Sequence, residues 1–320
     1  MRYGAHRNSD VDAHAQTISQ WSQEYDQLSH GRFRGALREL WMDGPRIQVF
    51  HEYTEQQTSQ RCQPWHGSVW FGIPDQRAVT AALRFCGRPQ PDGAHPLLSA
   101  RKGEEFSLRT PQDFGIYGVV VDEDWLCDRL ARSQRKGGLV PVPPLRSMLL
   151  PDGLHTALCE TVESMLRLGA AGETEQAWGR AAMHALLNHL FNLLSGAPQD
   201  TDSANRGLAM QRRLQMVMAA RDIVVQPHNC RMTVDELCEQ LHVTRRTLQN
   251  HFQCAVGESP ADFLRAVRLN ACRRSLRSAS SRTTVQDIAG QWGFLHMGHF
   301  SQDYKDMFGE LPSQTLRQSN

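Results

Sequence analysis

Thr233-Val234-Asp235-Glu236-Leu237-Cys238-Glu239-Gln240-Leu241 recurs, displaced by 51 residues, as Thr284-Val285-Gln286-Asp287-Ile288-Ala289-Gly290-Gln291-Trp292. Each copy runs into a two-residue turn, His242-Val243 and then Gly293-Phe294, followed by a second helical pattern. A Thr stands at each start, where its hydroxyl can take one of the unbonded N–H groups of a helix N-terminus. An acid three positions later, Glu236 or Asp287, completes a capping box. Apolar residues then follow at helical spacing: Val234, Leu237, Cys238 and Leu241, matched by Val285, Ile288, Ala289 and Trp292. The small pair Cys238 and Ala289 leaves room for a second helix to cross closely. A single capped helix pair reads equally well as part of an ordinary bundle. Two in register predict tandem helix-turn-helix units, and hence a reader of double-stranded DNA.

The second helix of unit one is expected to start at Thr244, with Leu248 and Phe252 facing the core. Arg245, Arg246, Thr247, Gln249 and Asn250 then point outward. Base reading uses these side chains: Arg pairs with guanine O6 and N7, and Gln or Asn with adenine N6 and N7. Unit two has Phe300 and Tyr304 as its core pair, and the offset has grown to 52, so one residue was added near the turn. Its outward set is His296, Met297, His299, Gln302 and Asp303, a poorer reader with one acid and no Arg. Between the units Ser259 and Pro260 announce a helix running to about Arg277. It would hold the two readers about 34 Å apart, as successive major grooves require. Its Arg265, Arg268, Arg273, Arg274 and Arg277 are expected mostly on a solvated face, with one or two on phosphates.

The 320 residues suffice for two or three domains, and the net charge of +1 does not by itself speak for nucleic acid. Its distribution says more. From Gln211 onward there are 14 Lys/Arg against 10 Asp/Glu, so a mildly basic tail follows a mildly acidic body. The eight Cys contain no C-x-x-C pair and read as reduced, mostly buried thiols of a cytoplasmic protein. No signal core and no apolar run of membrane-spanning length is present, so no membrane role is expected.

Residues 1 to about 16 read as a loose tail, and Ile18–Leu28 as a short helix. Strand patterns follow at Arg46–Tyr53 (with Ile47, Val49, His51 and Tyr53 on one face), Ser68–Ile73, Ala78–Cys86, Glu105–Arg109 and Asp113–Val121. They predict a small β-barrel, cupin-like, or a sandwich. Helices are expected over Asp124–Arg132, Leu154–Leu168 and Glu173–Leu194. The last carries Trp178, Met183, Leu186, Leu187, Leu190, Phe191 and Leu194 near one face, as core or as a homodimer seam. Ser195–Ser203 reads as a linker. The fold class is therefore α+β. Residues 1–195 would form an effector-sensing and dimerisation domain, 196–208 the linker and 209–320 the all-α tandem helix-turn-helix domain. A first tail helix would run from about Leu208 to Val225.

Catalytic signatures are missing from the front part. There is no H-x-H pair, no His at zinc-protease spacing after His51-Glu52, no G-x-S-x-G elbow and no phosphate-gripping Gly loop. No catalytic or metal-binding residue is assigned, and the chain is not expected to be an enzyme. Trp65, Trp70, Phe71 and Phe85 would serve equally as cavity lining or as plain core.

The tail resembles the AraC family of bacterial transcription regulators through Arg268-Leu269-Asn270-Ala271, Trp292-Gly293-Phe294, Phe300-x-x-x-Tyr304-Lys305 and Phe308-Gly309-Glu310-Leu311-Pro312. Val243–Asn250, Ile47–Tyr53 and Trp70–Pro74 are similar to the ethanolamine-utilisation regulators within that family. The resemblance implies a cytoplasmic activator that binds promoter DNA, engages RNA polymerase and senses ethanolamine together with adenosylcobalamin. It also implies that Arg246, Gln249 and Asn250 occupy base-contact positions in the first reading helix, with Met297, Gly298, His299 and Gln302 at corresponding places in the second. The family usually has Arg where Gln302 stands. Neither the residues nor the resemblance assigns the effector contacts. Two alternatives remain at this point: a regulator of the same fold answering another amine or an amino acid, and a barrel enzyme with an attached helical domain.

Overall fold

In the computed structural model, which describes residues 1–42, 46–133, 147–172, 181, 185–186, 188–190, 201–226, 228–229, 231–280 and 282–318, the front part is built on two antiparallel sheets. In chain order the strands are β1 (Arg2–Asn8), β2 (Ser22–Gln27), β3 (Gly35–Met42), β4 (Ile47–Thr54), β5 (Thr58–Gln63), β6 (Ser68–Pro74), β7 (Arg84–Phe85), β8 (Arg88–Pro89), β9 (His95–Ala100), β10 (Phe106–Thr110), β11 (Phe114–Asp122) and β12 (Ser147–Leu150). The larger sheet has the order β1-β3-β4-β11-β6-β9-β12 and the smaller β2-β5-β10-β7-β8. The sheets are not closed into a barrel: β1 and β12 end one, β2 and β8 the other, and the two pack face to face as a sandwich.

The helices are α1 (Val11–Ala15), α2 (Glu123–Ser133), α3 (Asp152–Ala170), α4 (Thr201–Val224), α5 (Val234–Gln240), α6 (Arg245–Ala255), α7 (Pro260–Arg277), α8 (Val285–Gln291), α9 (Met297–Phe308) and α10 (Pro312–Gln318). Helix α3 covers the outer face of the larger sheet, where Leu158, Val162 and Leu166 meet Leu40, Val49, Phe71 and Val119. The inner face packs Phe50, Trp70 and Val120 against Tyr25, Phe85 and Phe106 of the smaller sheet. Central strands therefore bury both faces, which explains why β6 is a continuous apolar run and not an alternating one. Phe71 lies under the helix layer, while Trp70 stacks on Phe106 at 4.3 Å between the sheets.

Three local expectations change. Residues 2–8 are not a loose tail but an edge strand, paired with β3 from Arg2↔Trp41 to Asn8↔Gly35. It is largely exposed, so it carries no apolar alternation to read. The stretch Ile18–Leu28 contains β2, not a helix. Its period of two is hidden because both faces carry polar residues, with Tyr25 inward and Glu24 and Asp26 outward. Of Ala78–Cys86 only Arg84–Phe85 is strand; Leu83 is buried within a turn whose backbone bonds to Thr80 and Gln90.

The helix expected at Glu173–Leu194 falls mostly outside the described residues, including Trp178, Met183, Leu187, Phe191 and Leu194. Leu186 and Leu190 are described, and both are fully buried in the core beside α3. The segment Ser195–Asp200 and Cys230 are likewise outside them. Helix α4 begins at Thr201, earlier than the Leu208 expected, so the second half of the 196–208 linker is helical.

The tail has two small cores threaded by one rod. Phe263, Leu264 and Val267 of α7 pack with Val217, Leu248 and Phe252. Further along the same helix, Leu269, Cys272 and Leu276 pack with Ile288, Phe300 and Tyr304. Each helix-turn-helix unit thus owns one half of α7.

Candidate nucleic-acid interface

Both first helices carry the capping box that the repeat implies. The Thr233 hydroxyl accepts from the Glu236 N–H (3.3 Å), and the Glu236 carboxylate accepts from the Thr233 N–H (2.7 Å). Thr284 and Asp287 repeat this at 3.2 and 3.0 Å. Hydrogen bonds from the capping Thr hold both carboxyls below their ordinary range. The turns match as well. Val243 N–H donates to the Cys238 carbonyl (3.0 Å) and Phe294 N–H to the Ala289 carbonyl (2.9 Å). The residue before each donor is left-handed, His242 with φ 54° and Gly293 with φ 81°. Glycine meets that demand without steric cost, whereas histidine is an uncommon occupant.

The units diverge after the turn. In unit one Thr244 follows the turn directly and caps α6 by accepting from the Thr247 N–H. In unit two Leu295 intervenes before His296, which precedes α9 without a side-chain capping bond. On α6, Arg246, Gln249 and Asn250 are exposed beside one another, with Leu248 and Phe252 buried behind them. Arg245 is exposed and engages Asp235 at 3.2 Å. On α9, Gly298, His299 and Gln302 are exposed, but the Gln302 amide donates to Asp306 (2.8 Å). Met297 is half-buried against the unit-two core, and Asp303 pairs with Arg265. Unit one therefore presents an exposed polar face with free donors. Unit two presents fewer free donors.

The arginines of α7 are only partly a solvated face: Arg265 and Arg277 are exposed, Arg268 and Arg274 half-buried and Arg273 buried, and all five are engaged. Arg265 holds Asp303, Arg268 donates to the Met232 carbonyl, and Arg273 pairs with Asp10 and Glu310. Arg274 pairs with Asp12 and Asp26, and Arg277 with Asp10. The tail's cationic excess is thus largely engaged by acids of the front sandwich. Asp26 of β2, 1 % exposed, sits between Arg221 of α4 and Arg274 of α7, each at 2.8 Å. Burial opposes its charge, yet the two guanidiniums outweigh that and hold its carboxyl below the ordinary aspartate value. Next to it, Asn270 exchanges two hydrogen bonds with the Gln27 backbone (3.0 and 2.8 Å).

The clasp reaches both units. Arg84 donates to the Cys254 carbonyl at the end of α6, and Arg109 holds Glu258 just beyond it. Gly31 N–H donates to the Asp306 carbonyl of α9. No local pattern in the sequence announces these contacts, because their partners lie 149 to 280 positions apart in the chain. Among the described residues, no group of three or more His, Cys, Asp or Glu side chains is placed to hold a metal ion. Nor is any helix among them long and apolar enough to cross a membrane.

Residues 237–318 match the helix-turn-helix domain family. The crystal structure of a probable AraC family transcriptional regulator from Rhodopseudomonas palustris is 32% identical and aligns over 98% of its own chain and 33% of this one, with a TM-score of 0.29. The tail is an AraC-type DNA-binding domain. An XylDLEGF operon transcriptional activator of Pseudomonas putida is 36% identical over 88 residues, 27% of each chain. A probable thc operon regulatory protein of Rhodococcus erythropolis is 38% identical over 87 residues, 27% of this chain and 26% of its own. The chain spans about a quarter of the length of these curated relatives. The AraC-like transcriptional activator CuxR aligns over 90% of this chain and 99% of its own, at 12% identity and a TM-score of 0.39.

Proposed function

We propose that the chain is a ligand-responsive transcription activator, not a catalyst. The AraC-type tail reads promoter DNA through two adjacent major grooves, the front sandwich answers a small molecule, and RNA polymerase and a second copy of the chain are its protein partners. The observation carrying this reading is the exposed trio Arg246, Gln249 and Asn250 on a helix held by a capped helix-turn-helix. Footprinting on DNA upstream of its own gene and its neighbours, with and without effector, is the direct test. In a salt-matched assay Arg246→Ala is expected to weaken operator binding by about 1–3 kcal/mol and to relax preference at one base pair. Equal loss on operator and random DNA would make Arg246 a phosphate contact instead.

For the effector we propose ethanolamine, with adenosylcobalamin as its co-effector. A chemical feature supports the amine. Between the sheets the Glu52 carboxylate, 5 % exposed, accepts from the Tyr25 hydroxyl (3.0 Å) and faces His14 Nε2 at 3.0 Å. Gln23 extends this chain by donating to the Tyr25 oxygen (2.9 Å). A buried carboxylate is a natural partner for a small ammonium ion. Tyr25 also lies on β2, whose opposite face carries the Asp26 clasp, so a change at Glu52 has a short route to the reading helices. A ligand acts only through its difference in affinity between two arrangements, so the effector must bind Glu52 differently when the clasp is open and when it is closed. Effector at a hundredfold excess over its Kd is expected to raise stability by ~2.7 kcal/mol, and Glu52→Gln to abolish that gain. A melting-point rise with another amine or an amino acid, and none with ethanolamine, would favour a regulator of the same fold answering that compound.

A further inference from the structure

Between the two units the chain keeps a strict offset of 51 through the turn, from Cys238/Ala289 to Val243/Phe294. At the first residue of the reading helix the offset is 52, Arg245 against Met297. Leu295 is therefore the inserted residue. It is also the most exposed of the large apolar side chains among the described residues, at 71%. A leucine added to a turn and pointed into water does nothing for the fold; its position at the mouth of α9 gives it a different role.

The surroundings define what it would meet. Where unit one has Arg246, unit two has Gly298, and a Cβ placed there would touch nothing within 4 Å. Gln302 is tied to Asp306 and Asp303 to Arg265. The leading edge of α9 thus offers Leu295 and the half-buried Met297 beside the exposed imidazoles of His296 and His299, with no guanidinium. In the major groove the apolar feature among base edges is the C5-methyl of thymine.

Building on the DNA-reading function above, we propose that Leu295 is a specificity residue of unit two that packs against a thymine methyl group. Unit one then reads by hydrogen bonds, while unit two adds an apolar contact to whatever its imidazoles make. The inserted residue lengthens the turn so that this side chain reaches the groove ahead of the helix. A base lacking the methyl leaves the leucine against a gap, and truncating the leucine leaves the methyl without a partner.

The test uses the full chain. Duplexes are selected from a random library. The chosen site is then compared, at fixed salt, with copies in which each thymine in turn is replaced by uracil, which lacks only the methyl. The half-site that responds to Arg246→Ala marks unit one. In the other half, one uracil is expected to weaken wild-type binding by about three- to tenfold, the scale of one buried methyl or methylene contact. Leu295→Ala should weaken binding of the parent duplex to the same extent and no longer distinguish the two bases there. The proposal is overturned if every thymine-to-uracil change costs the wild type and Leu295→Ala alike, if the second half-site selects no thymine, or if Leu295→Ala loses affinity equally for random DNA. A selection that enriches no sequence removes the DNA-reading function itself, an outcome distinct from these.

Discussion

Asp26→Ala is expected to lower stability by about 3 kcal/mol and to loosen the reading domain from the front sandwich. Removing one partner of a buried ion pair typically costs about 3–5 kcal/mol, because the charge left behind stays buried without compensation. Two arginines lose a partner here. Arg221 is the more buried of them, and it keeps Glu24 and Asp222; Arg274 keeps Asp12. Those remaining partners place the estimate at the lower end. The expected signature in denaturant is a single transition that splits in two, the sandwich and the tail unfolding separately. An unchanged midpoint and an unchanged single transition would show that the clasp does not join the domains.

The pH dependence has the sign of a depressed carboxyl. The folded-state value of Asp26 lies below its unfolded value. Its stabilising contribution is therefore complete above the ordinary aspartate range, near pH 4, and is lost as pH falls below that through the folded value. Protonation of Asp26 therefore does not open the clasp at neutral pH. In Asp26→Ala the tail should bind DNA with little dependence on effector. A variant that still responded fully would move the coupling route away from β2.

The tail was legible in the sequence because its information is local. Caps, turn and apolar spacing each lie within ten residues, and Thr233, Thr284, Leu248, Phe252, Phe300 and Tyr304 stand in the fold as that spacing implies. The sandwich was half legible. Strands β4, β6, β10 and β11 carry β-branched or aromatic residues, whereas β1 and β2 are mostly polar and present neither a run nor an alternation. Closure into a barrel could not be told from two open sheets, because interior alternation is the same in both. The least legible part was the clasp. Arg273, Arg274 and Arg277 look like a wet helix face until Asp10, Asp12 and Asp26 are brought against them by the fold. The offset of 52 was readable as an insertion, but that Leu295 is the extra residue, and that it faces solvent, required the turn hydrogen bonds.

Phe263→Ala should have the largest effect, about 3–5 kcal/mol, the usual cost of emptying a buried aromatic site. Phe263 is fully buried on the half of α7 that belongs to unit one, and its ring lies 5.6 Å from that of Phe252 at 72°. Phe252 sits on the back of the helix that carries Arg246, Gln249 and Asn250. The cavity would therefore open between rod and reader and leave the reading helix without a fixed orientation. Phe300 plays the matching part in unit two, against Tyr304 and the other half of α7. Each core has its own buried set, and the two are joined by the rod, by Leu28 and by the Arg231–Gly290 hydrogen bond, so the functional losses should be separable in large part. At a temperature where both variants remain folded by circular dichroism, Phe263→Ala is expected to lose protection of the unit-one half-site and keep the other, and Phe300→Ala the reverse. Were each variant to lose the whole footprint together, the two units would act as one rigid block, and the rod would be transmitting disorder along its length instead of isolating it.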